Sequence, residues 1–347
     1  YWKTIAAAKQ EGKLVIYHSW SAGEIAILLE TFQKFYPFIK VEQLRMDSAK
    51  AYDKYNAEMT ALGRSGCDVL RVDQTVYLGM VRRGEILNYV SPETPYMPKG
   101  LYMEGYLYPD ILSAAGVMYD SRVLSGKNVA KGAEDFVNIV KSNPDYWKGK
   151  VHVSDPRFVG GAWRNYYMLR KYAGKEKTFA MYRALIDNKA LLITSSGRAV
   201  SAIQAGEILA MWDAGLTSWA AIRFSADNPT YLTWTIWEDY PFIEARVNSV
   251  LIKNGGGHPN AAKLWLDFVL SLRGQSGIAT YGIPVRTDYA EKGEQTGLIK
   301  YWQENVVKTG IFARAYFNSL LPEEAALEYV SVKDDWLTDW EKAMGFK

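Results

Sequence analysis

The chain has 347 residues, 48% hydrophobic and 23% charged, the balance of a globular protein rather than a disordered or fibrous one. At about 100 to 200 residues per domain it has the length of two domains. Lys and Arg number 41 against 38 Asp and Glu, a net charge of +3 with the basic residues scattered, which excludes a nucleic-acid footprint. The lone Cys67 and three histidines, His18, His152 and His258, exclude an intrachain disulfide and a Cys/His metal cluster.

No uninterrupted apolar run approaches the ~18 residues of a membrane span, so a soluble chain is expected. The opening Tyr1-Trp2-Lys3 reads as a mature or trimmed start. The apolar, β-branched run Leu14 to Tyr17 predicts a strand. Ser21-Ala22-Gly23-Glu24 then forms a capping box opening a helix with Ile25, Leu28, Leu29, Phe32 and Phe35 on its apolar positions, ended by Pro37. Ile39 to Leu44 reads as strand, Ser48 to Leu62 as helix and Cys67 to Val72 as strand. Strands separated by helices of this length imply parallel βαβ crossovers.

A Pro- and Tyr-rich stretch from Pro92 to Pro109, followed by a strand at Ala114 to Tyr119, reads as a crossing to a second α/β lobe. There Val151 to Ser154, Leu191 to Thr194 and Ile208 to Trp212 are predicted strands, and Gly161 to Tyr172, Phe179 to Ile186 and Arg198 to Ala205 predicted helices. Tyr231 to Trp237 is expected to cross back, Val247 to Ile252 to be a buried strand of the returning lobe, and Pro259 to Leu270 a helix. A final helix is expected from near Pro322, carrying Trp336 and Trp340. Lobe one is thus expected over 1–108 and 232–290, lobe two over 109–231, and 291–347 as C-terminal helices packing on the lobes.

In open α/β sheets ligands sit beyond the carboxyl ends of the strands, where helices begin, and the candidate contacts lie at such positions. Ser19, Trp20 and Ser21 follow the first strand, where hydroxyls and backbone N–H groups can hold an anion and the indole can stack on a ligand. Asp73 and Gln74 follow the third strand. Arg157, Gly160, Gly161, Ala162 and Trp163 open a helix whose positive end favours an anion. Ser195, Ser196 and Arg198 form a hydroxyl-rich turn into another helix, and Trp212 and Asp213 close the strand before Gly215. Trp20, Trp163 and Trp212 are expected as aromatic faces beside the ligand, in a chain with 12 Trp and 24 Tyr. Arg246 and Asn248 are weaker candidates. Tyr166 and Tyr167 point about 100° apart on a helix and read as packing residues rather than a phenolate pair. Asn254 to Gly257 reads as a turn, and His258 as structural.

The stretch Asn254-Gly255-Gly256-Gly257-His258-Pro259-Asn260-Ala261-Ala262-Lys263-Leu264, with Leu270-Ser271-Leu272-Arg273-Gly274-Gln275 and Gly282-Ile283-Pro284-Val285-Arg286, resembles the periplasmic substrate-binding proteins of ABC importers. It is similar to the ferric-ion-type branch of extracellular solute-binding family 1. Leu14 to Tyr17, Asp68-Val69, Gly116 to Leu124, Trp147 to Pro156 and Ala205 to Glu207 fall in the order of that branch, so the resemblance covers nearly the whole chain. It implies a type II periplasmic binding protein: two α/β lobes joined by a two-segment hinge, closing over a solute and delivering it to membrane permease subunits. Iron-binding members use adjacent tyrosines after the strand that follows the Gly-Glu motif. Here that segment is Trp212-Asp213-Ala214-Gly215-Leu216-Thr217, without tyrosine, although Asp73 and Gln74 match the first-lobe acidic position and its neighbour. The resemblance implies an anion on the helix start at Gly160-Gly161-Ala162 and on Ser196.

The expected ligand is a small organic anion, phosphorylated or carboxylated, with ferric ion as the alternative. No G-x-S-x-G, P-loop or H-E-x-x-H occurs, and no nucleophile–base constellation can be named, so a binding protein rather than an enzyme is expected. The resemblance implies a periplasmic or otherwise extracytoplasmic monomer without cofactor.

Overall fold

The computed structural model describes residues 2–346 apart from 21, 127, 128, 195, 225, 226, 228 and 319–322. Twelve strands run through the described residues: β1 (Lys13–His18), β2 (Lys40–Arg45), β3 (Val69–Arg71), β4 (Ile111–Asp120), β5 (Val151–Ser154), β6 (Leu191–Ile193), β7 (Ala210–Gly215), β8 (Leu232–Ile236), β9 (Phe242–Arg246), β10 (Val250–Leu251), β11 (Ile283–Pro284) and β12 (Tyr316–Asn318). The chain divides into two compact units. The first is Tyr1–Leu112, Ala245–Thr296 and Ser319–Ala326; the second is Ser113–Glu244, Gly297–Asn318 and Leu327–Lys347.

The first unit holds a sheet of order β10-β3-β1-β2. β1 runs parallel to β2 and to β3, with His18 opposite Arg71, and β10 runs antiparallel to β3. The parallel pairs follow from intervening helices long enough to return the chain to the same end of the sheet. The helix Ala22–Phe35 buries Ile25, Leu28 and Phe32 along one face. The helix Ser48–Leu62 begins with Asp47 accepting from Lys50 N at 2.9 Å and ends at Gly63 in the left-handed region at φ 66°, where glycine carries no steric penalty. The helix Pro259–Leu270 lays Trp265 against Trp20 and Phe32, with ring centroids 6.2 and 5.2 Å apart.

In the second unit the sheet runs β12-β9-β4-β7-β5-β6, with β8 also on β4. β5 is parallel to β6 and β7, whereas β4 is antiparallel to β7 and β8. Its core is aromatic: Trp163, Tyr166, Tyr167, Tyr182, Trp212 and Trp237 are all buried there. The helix Lys333–Met344 adds Trp340, 5.7 Å from the Tyr182 ring, and Trp336, stacked on Tyr167 at 5.5 Å.

The unit boundaries differ from the sequence expectation. Residues 232–244 belong with the second unit, not the first. β8 pairs with Gly116 to Asp120, and Trp234 and Trp237 donate their indole N–H groups to Ala214 O and Trp212 O, both at 3.0 Å. The C-terminal segment, expected over 291–347 as helices packing on the lobes, is shared between the units, with Gly297–Asn318 and Leu327–Lys347 in the second and the rest in the first. The single strand expected over Val247 to Ile252 is replaced by β9 and the short β10, leaving Val247, Asn248 and Ser249 between them. The strand expected to end at Trp212 continues to Gly215, which places Asp213 inside β7. No helix among the described residues is long and apolar enough to cross a membrane.

Candidate functional site

In the first unit, parallel β1 and β3 bring His18-Ser19-Trp20 and Arg71 together at their carboxyl ends, the end at which α/β sheets take ligands. Arg71 organises the cluster. Its Nη1 donates to Ser19 Oγ at 2.5 Å and its Nε to Asn248 Oδ1 at 3.2 Å, and its guanidinium lies 5.6 Å from the Trp20 ring. Ser19 Oγ in turn meets Ser48 Oγ at 2.8 Å. Both hydrogen-bond acceptors of Arg71 are neutral, so among the described residues this half-buried cation makes no ion pair with a carboxylate. Behind Asn248, whose Nδ2 donates to Asp110 Oδ1 at 2.7 Å, burial pushes the Asp110 carboxyl up from 3.8 to about 7, against the charges of Arg71 and Arg246. His18 is fully buried with Nε2 2.7 Å from Gln43 Oε1, and burial lowers its pKa.

Of the residues expected here, Ser19 is a member of the cluster and Ser21 lies outside the described residues. Trp20 is only 1% exposed and packs on Trp265, so its ring supports Arg71 from below rather than offering a face to a ligand. Gln74 is buried, its Oε1 accepting from Val247 N at 3.1 Å. Asp73 caps the short 3-10 turn Gln74–Val76 by accepting from Thr75 N at 3.1 Å.

In the second unit β5 ends at Ser154, and the turn beyond it is closed by Asp155 and Arg157. Arg157 donates Nε to Asp155 Oδ1 at 2.9 Å and Nη2 to Oδ2 at 2.6 Å, while its backbone N–H donates to the same carboxylate at 3.0 Å. Its guanidinium also lies 4.4 Å from the Phe346 ring and 3.5 Å from Glu341. Arg157, expected as an anion contact, therefore ties its own turn to the C-terminal segment. The helix Gly160–Tyr172 starts with no side-chain cap, and among the described residues the Gly160, Gly161 and Ala162 amides have no side-chain acceptor, at a helix end carrying about half a positive charge. One turn on, Arg164 pairs with Glu244 at 2.5 Å, and a Cβ on Gly161 would lie 3.6 Å from Arg164 Nη2. This cation therefore reaches back over the first turn.

Asp213 sits beside that helix. Its Oδ1 accepts from Ser154 N at 2.9 Å, its backbone oxygen accepts from Asn165 Nδ2 at 3.3 Å, and its buried Oδ2 has no hydrogen-bond partner among the described residues. Burial pushes its carboxyl from 3.8 to about 7. Trp163 and Trp212 are core residues at 1% and 0% exposure, the latter donating to Ala133 O at 3.0 Å. Neither presents the aromatic face expected of it. Ser195 and the side chain of Ser196 lie outside the described residues, and Arg198 is exposed near the start of the helix Ser196–Gln204. Tyr166 OH donates to Trp336 O at 2.8 Å and Tyr167 OH accepts from Lys171 at 3.0 Å; burial raises both phenols, Tyr166 to about 12.

Each unit thus offers hydrogen-bond donors at a strand end: Arg71 with two hydroxyls in the first, and three main-chain amides with Arg164 in the second. Donors of this kind make their strongest bonds to charged oxygens. Arg71, Arg164 and Glu244 were not among the residues singled out from sequence, although an arginine inside the apolar run Val69-Leu70-Arg71-Val72 was a visible signal.

Among solved structures the chain is similar to the substrate-binding protein of an ABC transporter from Agrobacterium tumefaciens, at TM-score 0.75 and 14% identity over 96% of this chain and 94% of that one. It is also similar to the periplasmic binding protein AfuA from Actinobacillus pleuropneumoniae, with fructose-6-phosphate bound, at TM-score 0.69 and 18% identity over 97% and 99%. The ferric binding protein from Campylobacter jejuni gives TM-score 0.70 and 14% identity over 94% and 99%. These likenesses establish the type II periplasmic binding protein fold. No curated protein sequence matches the chain. The family model for bacterial extracellular solute-binding proteins matches residues 80–283, and the chain belongs to that family.

Proposed function

We propose that this chain is the solute-binding component of an ABC importer that captures a small organic anion, phosphorylated or carboxylated, and hands it to the membrane permease without chemical change. The observation that carries the reading is Arg71, a half-buried guanidinium at the carboxyl ends of β1 and β3, bonded among the described residues only to neutral Ser19 and Asn248. A cation in that setting gains most from a charged oxygen that displaces water. The uncapped start of Gly160–Tyr172 supplies donors of the same kind.

Ligand contacts are assigned to Ser19, Arg71 and the amides of Gly160, Gly161 and Ala162, with Arg164 beside them. Asp213, buried with its Oδ1 accepting from Ser154 N, is a positioning residue. Gln74, Trp20, Trp163 and Trp212 act as positioning residues, whereas Arg157 holds its own turn against the C-terminal segment. A ferric cage is disfavoured, because the Tyr166 and Tyr167 hydroxyls are engaged in the core of the second unit. The protein is placed outside the cytoplasmic membrane and acts as a monomer. Native mass spectrometry of protein purified from cell extract tests the reading: an added mass that fragments to a phosphate or carboxylate ion is expected, whereas a retained ferric ion or a neutral solute overturns it.

A further inference from the structure

The first unit holds a second concavity at the opposite end of β3 from Arg71. It is a pocket of about 430 Å³, lined by Leu62, Arg64, Asp68, Lys253, the turn from Asn254, and His258. Arg64 and Lys253 are exposed, and neither side chain has an ion-pair or hydrogen-bond partner among the described residues. His258 Nδ1 lies 2.9 Å from Asp68 Oδ2, so that ring nitrogen is taken and Nε2 remains for the pocket. The one carboxylate in the lining is already satisfied: Asp68 also accepts from Val15 N and from His258 N, both at 2.9 Å.

The pocket floor is fixed. A Cβ on Gly255 would lie 2.6 Å from Cys67 O, and one on Gly256 2.7 Å from Gly66 O, so only glycine lets the turn lie flat on residues 66–68. The neighbouring start of the helix Pro259–Leu270 contributes nothing to a ligand, because Glu11 already accepts from Asn260 N at 3.1 Å and Ala261 N at 2.8 Å.

We propose that this pocket is a binding site for a small oxyanion, a phosphate or sulfate group held by Arg64, Lys253 and His258, independent of the solute site. Arg64, Lys253 and His258 line one pocket, and the one carboxylate among its described lining residues, Asp68, already has three hydrogen-bond partners. Because both cations are exposed, binding is weak, with Kd about 1 mM at low salt.

The test is an NMR titration of histidine-labelled protein with inorganic phosphate, and separately with sulfate, at constant ionic strength, with the His258 signal assigned from a His258→Gln sample. A saturable shift of the His258 resonance is expected with either anion, and its loss in the Arg64→Ala/Lys253→Ala double variant, whose unchanged spectrum elsewhere shows that it is folded. His18, beside Arg71, reports separately on the solute site. No saturable His258 shift in the natural chain, or one that persists in the double variant, overturns the proposal whatever His18 does.

Discussion

Asp213→Asn replaces a buried carboxyl by its neutral near-isostere. The asparagine Oδ1 can still accept from Ser154 N, the bond that joins β7 to the end of β5. Burial raises the folded-state pKa from 3.8 to about 7. Between those values the folded protein keeps a proton that the unfolded chain has lost, so this group's contribution to stability is fully present below pH ~4 and is lost as pH rises to ~7. Three units at 1.36 kcal/mol each set a ceiling of about 4 kcal/mol, and relaxation around the ionised group brings the expected value nearer 2. Asp110, raised to about 7, and Asp267, raised to about 6, act in the same direction but are common to both proteins. They therefore cancel in the difference. An amide N–H in place of the partnerless Oδ2 carries a cost that does not change with pH. Urea unfolding of both proteins at pH 4.5 and pH 8 reads the quantity: the variant should gain on the natural chain by about 2 kcal/mol on going to pH 8. A pH-independent gap, or a variant that loses ground at pH 8, refutes the argument that burial keeps this carboxyl neutral.

Arg157→Ala leaves Asp155, 4% exposed, without its bidentate partner. A drop in unfolding free energy of about 3 kcal/mol is expected with solute affinity unchanged; denaturant melts and a binding titration on the same samples check both halves. Gly161→Ala is sterically permitted, its nearest new contact being Arg164 Nη2 at 3.6 Å. It should fold normally yet bind the solute about tenfold more weakly, because the methyl group stands over the first-turn amides; undiminished affinity in a titration would remove those amides from the site.

Much of the architecture was legible wherever the ends of an element carry their own chemistry. Ser48–Leu62 lies between its Asp47 cap and Gly63, and Pro259–Leu270 opens at a proline, so both match the sequence reading residue for residue. The assignment of β8 failed for a different reason. An apolar strand carries no mark of which sheet it joins, and only its pairing with Gly116 to Asp120 places it in the second unit.

The site was harder to read, because hydrogen-bond partners come from distant segments. Asn248 meets Arg71 across 177 residues of chain. The abundance of tryptophan suggested ligand-stacking faces, yet Trp20, Trp163 and Trp212 are buried, as large apolar area favours. Arg157 satisfies the carboxylate two residues before it, and the Asp155-Pro156-Arg157 spacing already contained that possibility.

The most direct measurement is a calorimetric titration of the natural chain and of Arg71→Gln against phosphorylated, carboxylated and neutral solutes. The account predicts that an anionic solute binds the natural chain, and that the variant, which keeps the polar length but not the charge, loses 1.5 to 3 kcal/mol, about ten- to a hundredfold in Kd. Equal affinity in the two proteins, or tight binding of a neutral solute by the natural chain, contradicts it.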